Sequence, residues 1–390
     1  MQSGTDAATP WASLARHLEG NYHKPDLEAI RVVAAATLAH FLWPESSPVW
    51  LMVVGASGTG KTEIMMSVVE GFPKFYALSN LTENTLLSGW RGTEAGLLAR
   101  LAKEQGRDIV LGISDFSSVT GLRADKLKVV AAQMREMYDG KVSKDFGVGK
   151  HEQWEGKITM IVGCTRSVER LWGLQKELGE RFCLLRWRAG DGEELARAAM
   201  ALDKRDGIRQ RTTDLATQWW NAIDMSLAER MTMLQGEKWK FHIVATLIAK
   251  LRCPVIRGES GIMLDVGDQE GPGRLVRTMW QLDRAHAVLS GRSEVIKEDV
   301  SLALRVARES VPTLRWRIME KMSASKVSLG LAELQKEFEK EREGVLPAAT
   351  MRTHLEELEA IGALDGEETA GQKWWAVHPW VKERWETLFI

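Results

Sequence analysis

Gly55-Ala56-Ser57-Gly58-Thr59-Gly60-Lys61-Thr62 fits the pattern G-x-x-x-x-G-K-[ST] in full. A short apolar run, Val49 to Val54, precedes it, and a helical pattern through Ile64, Val68 and Val69 follows. That strand, turn and helix context separates a phosphate-binding loop from a structural glycine turn. Glycines let backbone N–H groups turn inward around phosphate oxygens without Cβ clashes, and a helix N-terminus adds positive potential. Lys61 is placed to reach β- and γ-phosphates, and the Thr62 hydroxyl to ligate Mg²⁺. Gly55, Ser57, Gly58, Thr59, Gly60, Lys61 and Thr62 are therefore the candidate nucleotide-binding residues, with ATP and Mg²⁺ as the expected cofactors.

Working outward, apolar runs typical of buried parallel strands recur at Phe75 to Leu78, Ile109 to Ile113, Ile158 to Val162 and Phe182 to Leu185. Helical patterns separate most of them, for example Leu127, Val130, Ala131, Met134 and Met137. Strands alternating with helices predict an α/β domain with a parallel sheet covered on both faces, over residues 26–190. Residues 1–25 read as a polar N-terminal segment. A helix is predicted from Asp26, broken by Pro44 to Pro48. From Glu193 the pattern is almost wholly helical, which predicts a second, helical domain over 191–312; Gly258 to Gly273 is expected to be a loop before a helix starting near Arg274. Beyond Pro312 the order is helix, helix, helix, hairpin, with Pro347 at a first helical position and Gly362 at a helix end. Three short helices and a β-wing over 313–390 describe a winged helix.

The chain has 390 residues, 44% of them apolar and 27% charged, which excludes a disordered or collagen-like polymer. Its net charge of −1 provides no global field for nucleic acid or an anionic membrane, so such contacts must be local. Cys164, Cys183 and Cys253 form no CxxC pair, which fits a reducing compartment and small buried hydrophobes better than a zinc site. The longest apolar stretch, Ile30 to Trp43, is interrupted by Arg31 and His40, so a soluble cytoplasmic protein without membrane contact is expected. Most of the 16 tryptophans should lie in cores or interfaces.

Hydrolysis needs an acid at the end of a second buried strand. The run Ile109 to Ile113 ends in Ser114-Asp115-Phe116, so Asp115 is the candidate for holding Mg²⁺ or orienting the attacking water. Glu83 is read either as a second carboxylate or as the cap of a surface helix.

The order of these parts resembles the AAA+ ATPases over roughly Asp26 to Pro312. The resemblance implies a P-loop AAA+ parallel sheet with a helical lid, followed by a C-terminal winged-helix domain. It places Thr165, in Gly163-Cys164-Thr165, at the polar sensor 1 position. Arg181, in Gly179-Glu180-Arg181-Phe182, matches the arginine-finger segment, and Arg274, in Pro272-Gly273-Arg274-Leu275, matches sensor 2. A finger that completes a neighbour's site implies a homo-oligomeric ring, usually a hexamer. Tyr138 to Gly147, a polar turn from Val148 to Gln153, and Trp154 to Ile158 look like the β-hairpin inserted before sensor 1 in minichromosome maintenance helicases and bacterial enhancer-binding activators. Lys144, Lys150 and His151 on that hairpin are the candidate DNA contacts. Alignment with the helicase pattern Asp-Glu-Phe puts Ser114 where the metal-holding Asp stands and Asp115 in the catalytic Glu slot, which implies slow or conditional turnover.

Residues 313–390 hold 11 Lys/Arg against 14 Asp/Glu, a net charge of −3, and the expected recognition helix carries Arg352 beside Glu356, Glu357 and Glu359. Phosphate binding depends on clustered positive charge, so protein docking competes with DNA binding as this module's role. The expected activity is an ATP-dependent ring ATPase acting on DNA through a pore hairpin. The alternative is a nucleotide-controlled assembly switch that recruits a protein through the acidic winged helix with little hydrolysis.

Overall fold

The computed structural model describes residues 9–79, 81–82, 85, 97–146, 150–166, 168, 181–201, 207–233, 238–258, 260–340 and 346–388. The chain divides into two compact units, one of residues 1–233 with 281–302, the other of residues 234–280 with 303–390.

The first unit is built on β1 (Trp50–Val54), β2 (Phe75–Leu78), β3 (Ile109–Ile113), β6 (Ile158–Cys164) and β7 (Phe182–Arg186). They form one parallel sheet in the order β2-β3-β6-β1-β7. β1, β3 and β6 are buried along their whole length, as strands covered on both faces must be. Trp50, Met52, Leu111, Ile113, Met160 and Val162 share one core with Leu98 and Leu101 of α4 (Leu97–Glu104) and with Val130 and Met134 of α6 (Ala124–Tyr138). Between these two helices lies the short α5 (Ser117–Thr120).

Ahead of the sheet come α1 (Pro10–Asn21) and α2 (Leu27–Leu42), and α3 (Lys61–Glu70) follows β1. The N-cap Asp26 accepts from Ala29 N at 2.9 Å and from Arg188 N at 3.0 Å, so the entry of α2 is tied to the segment after β7. His40 of α2 hydrogen-bonds Thr159 of β6 at 2.8 Å, and burial pushes its pKa down to about 3, with Lys157 adding to the effect. Helices α7 (Gly192–Ala201) and α8 (Ile208–Asn221) belong to this unit as well. The Trp220 indole of α8 donates to Val68 O of α3 at 2.8 Å and stands on edge to Phe72. The compact unit therefore does not stop at the expected boundary near residue 190, because Trp219 and Trp220 are buried in it.

Between α6 and β6 runs an antiparallel hairpin, β4 (Lys141–Phe146) and β5 (Lys150–Glu155). Val142 and Trp154 face each other across it and are buried in the core, which anchors the hairpin at its base.

The second unit begins with α9 (Lys238–Arg252) and a two-stranded hairpin, β8 (Val255–Arg257) and β9 (Met263–Val266), where a loop was expected. Helices α10 (Gly273–Leu289) and α11 (Lys297–Glu309) each contribute residues to both units. After them come α12 (Thr313–Ala324), β10 (Leu329–Gly330), α13 (Leu331–Glu339), α14 (Ala348–Ala360), β11 (Leu364–Thr369), β12 (Gln372–Val377) and α15 (Pro379–Trp385). β10, β12 and β11 form an antiparallel sheet in that order, and Ala370 and Gly371, both at positive φ, make the tight turn of its outer hairpin.

No break falls at Pro312. Arg315 of α12 is buried and donates to Leu251 O at 3.0 Å and Cys253 O at 2.7 Å, satisfying carbonyls at the end of α9. Its other nitrogen reaches Glu357 of α14, which also accepts from Arg257 of β8 at 3.1 Å and pairs with His354. Burial alone would raise the Glu357 pKa, but the His354 bond and the arginines outweigh it and hold it at about 2. Among the described residues no helix is long and apolar enough to cross a membrane.

Candidate functional site

The carboxyl ends of β1, β6 and β3 lie side by side, with β6 inserted between the other two. Register pairs Val54 with Cys164, and Ile113 with Val162, so the loops leaving these strands converge on one sheet edge. A cavity of about 300 Å³ opens there. It is lined by the loop from Ala56 to Glu63, by Ser114 and Asp115 after β3, and by Gly163, Cys164 and Thr165 at the end of β6. The structure thus brings Lys61, Thr62, Asp115 and Thr165, the core of the expected site, to a single cavity.

Local geometry follows from the glycines. Gly58 and Gly60 sit at φ +78° and +72°, the left-handed region open to glycine, and Gly60 is the N-cap of α3. Thr59 closes the loop by donating to Ala56 O at 3.0 Å. A Cβ on Gly55 would lie 3.2 Å from Cδ and 3.3 Å from Cε of Lys61, so the lysine stem packs directly on that backbone. Gly163 is tighter, since a Cβ there would meet Ser114 O at 2.6 Å. The close approach of β6 to the end of β3 requires that glycine.

Lys61 is 6% exposed, and its Nζ lies 3.4 Å from Thr62 Oγ1. Burial pushes its pKa below the ordinary lysine value, while Cys164 and Asp115 act in the opposite sense. A cation stripped of water at a helix N-terminus is a strong receptor for phosphate. Asp115 is exposed, with Oδ1 accepting from Ser117 N at 2.9 Å, and it is followed by the fully buried Phe116. Thr62 and Asp115 offer hydroxyl and carboxylate oxygens, the hard donors that suit Mg²⁺, and the residues present therefore fit a magnesium nucleotide.

Other expected residues are distributed differently. Arg181 is 8% exposed at its side chain, donates to Asp139 at 2.9 Å and lies over the Tyr138 ring, so within its own chain it is engaged. Arg274 stands at the start of α10 in the second unit and pairs with Glu270 at 2.6 Å. Glu83 lies outside the described residues. On the hairpin, register sets Lys144 opposite Glu152, His151 opposite Asp145 and Lys150 opposite Phe146.

Two residues at the site escaped the sequence reading. Tyr22 donates to Glu63 Oε1 at 3.0 Å, and its ring lies near Gly60, so the segment after α1 closes on the phosphate loop. Nothing local in the sequence links positions 41 residues apart. Cys164 belongs to the cavity wall, a role its apolar surroundings in sequence did not signal. No protein-family model matches the chain, and no curated protein matches it.

Proposed function

We propose that the chain is a Mg²⁺-dependent ATPase of the AAA+ type that assembles as a ring and acts on DNA through the β4–β5 hairpin. The observation that carries this reading is the convergence of the buried Lys61 with Thr62, Thr165 and the exposed Asp115 on one cavity at the carboxyl edge of a parallel sheet with an inserted strand. The amides from Gly58 to Thr62 and the Lys61 ammonium bind and orient the β- and γ-phosphates. Thr62 and Asp115 would hold Mg²⁺, which supplies charge neutralisation at those phosphates when bound. The Thr165 hydroxyl, at the end of the inserted strand, orients the water or reads the γ-phosphate, and Asp115 takes the proton if it is not held as a metal ligand. A neighbour's Arg181 stabilises charge on the transferring group, which requires its pair with Asp139 to open on assembly. The three-helix and β-sheet arrangement of residues 313–390 supports a winged-helix reading.

The test is steady-state ATP turnover of wild type, Lys61→Ala and Asp115→Ala, with and without single- and double-stranded DNA at low salt. Turnover stimulated by DNA and abolished in both variants is expected. Turnover that survives Lys61→Ala, or DNA that neither binds nor alters it, would remove the ATPase or the DNA half of the proposal respectively. A second reading, an assembly switch with little hydrolysis, is favoured by Ser114 in the usual aspartate position and by the −3 charge of residues 313–390. Ring formation in ATP without turnover would select it.

A further inference from the structure

A second cavity, of about 470 Å³, lies in the first unit between the start of α1, the end of α8 and the end of α10. Its size is in the range of small-ligand sites. Trp11 and Trp219 form one wall, their ring centroids 4.7 Å apart, and Ile223, Leu227 and Val288 extend the apolar surface. Arg31 lines the same cavity, with its guanidinium 5.1 Å from the centre of the Trp11 ring and a hydrogen bond to Ser290 Oγ.

The charge balance around Arg31 is the telling feature. Asp299 is fully buried and is the natural counter-ion, but its oxygens are already taken. Arg292 holds both, at 2.7 and 2.8 Å, His286 reaches one at 2.5 Å and Ile296 N the other at 2.8 Å. Two arginines thus share one carboxylate, and it is Arg31 that goes without a direct bond to it. Its Nε is buried and has no hydrogen-bond partner among the described residues. A partly dehydrated guanidinium on an apolar, aromatic wall calls for an anion that is itself weakly hydrated. Asp224, also on the lining, favours a single negative charge over a phosphate dianion.

We propose that this cavity binds a small aromatic carboxylate, its ring on Trp11 and Trp219 and its carboxylate on Arg31. The site is separate from the nucleotide cavity and does not depend on it. The probe is naphthalene-2-acetate, titrated by calorimetry into the full chain, with naphthalene-2-acetamide as neutral control. Saturable binding with a Kd below about 1 mM is expected, weakened about tenfold or more in the amide and in Arg31→Met. Ile223→Trp, which fills the cavity, abolishes binding while thermal unfolding shows a folded protein. The proposal is overturned if wild type takes up no probe to ~5 mM, if the amide binds as well as the acid, or if folded Arg31→Met or Ile223→Trp binds like wild type.

Discussion

Replacing Gly55 by alanine tests whether the packing of the phosphate loop sets the lysine. The new methyl would sit 3.0 Å from Trp187 Cβ, 3.2 Å from Lys61 Cδ and 3.3 Å from Lys61 Cε. Carbon atoms normally rest about 3.5–4.0 Å apart, so each neighbour must give by a few tenths of an ångström. Trp187 is buried and its backbone N donates to Val54 O at 2.8 Å, whereas the lysine stem is flexible, so Lys61 moves. Overpacking of this size costs about 1–3 kcal/mol of stability, a fall of a few degrees in Tm. A charge-assisted bond to phosphate contributes about 1.5–3 kcal/mol, so a displaced ammonium lowers Mg·ATP affinity about 10- to 150-fold. Calorimetric titration beside a thermal melt measures both. Affinity within about twofold of wild type would mean that Lys61 does not depend on the bare backbone at Gly55.

Gly163→Ala should act on stability first, since its methyl meets the Ser114 carbonyl, which cannot rotate away; a loss of more than about 3 kcal/mol in urea unfolding is expected, larger than for Gly55→Ala. Acid should weaken the protein in two windows. His40 is held neutral with a folded pKa of about 3 against 6.5 unfolded, so its contribution is complete above about 6.5 and is lost as pH falls toward 3. Glu357, at about 2 against 4.5, contributes fully above about 4.5 and loses that as pH falls toward 2; His40→Leu should flatten the upper part of a Tm-against-pH curve and Glu357→Gln the lower. Arg315→Met takes the buried donor from Leu251 O and Cys253 O and leaves Glu357 with Arg257 and His354, and should cost about 1–3 kcal/mol in denaturant unfolding of the second unit.

Much of the sheet was legible because its strands are continuous apolar runs closed by glycine or polar punctuation. Phe75 to Leu78 and Ile109 to Ile113 match β2 and β3 residue for residue, and β1 and β6 differ by one or two at an end. Strand order was not legible from these runs: that β6 lies between β1 and β3 depends on pairing across about a hundred residues, which no local pattern encodes. Helix α1 was hidden because only Leu14 and Leu18 are buried in it, too weak a periodicity to read amid polar residues. The β8–β9 hairpin reads as loop in the sequence because its glycines flank Ile262 and Leu264, both about two-thirds exposed, so burial leaves no alternating signature. At the site, the loop and Asp115 were readable as motifs. The Tyr22–Glu63 bond and the Arg181–Asp139 pair were not, because each joins residues more than forty positions apart.

The proposed function stands on the loop from Gly55 to Thr62 holding a magnesium nucleoside triphosphate. Its most direct test is calorimetric titration of Mg·ATP into folded wild type and folded Lys61→Ala. One saturable site per chain is expected in wild type, and its loss in the variant. No uptake by wild type, or equal uptake by both, would contradict it.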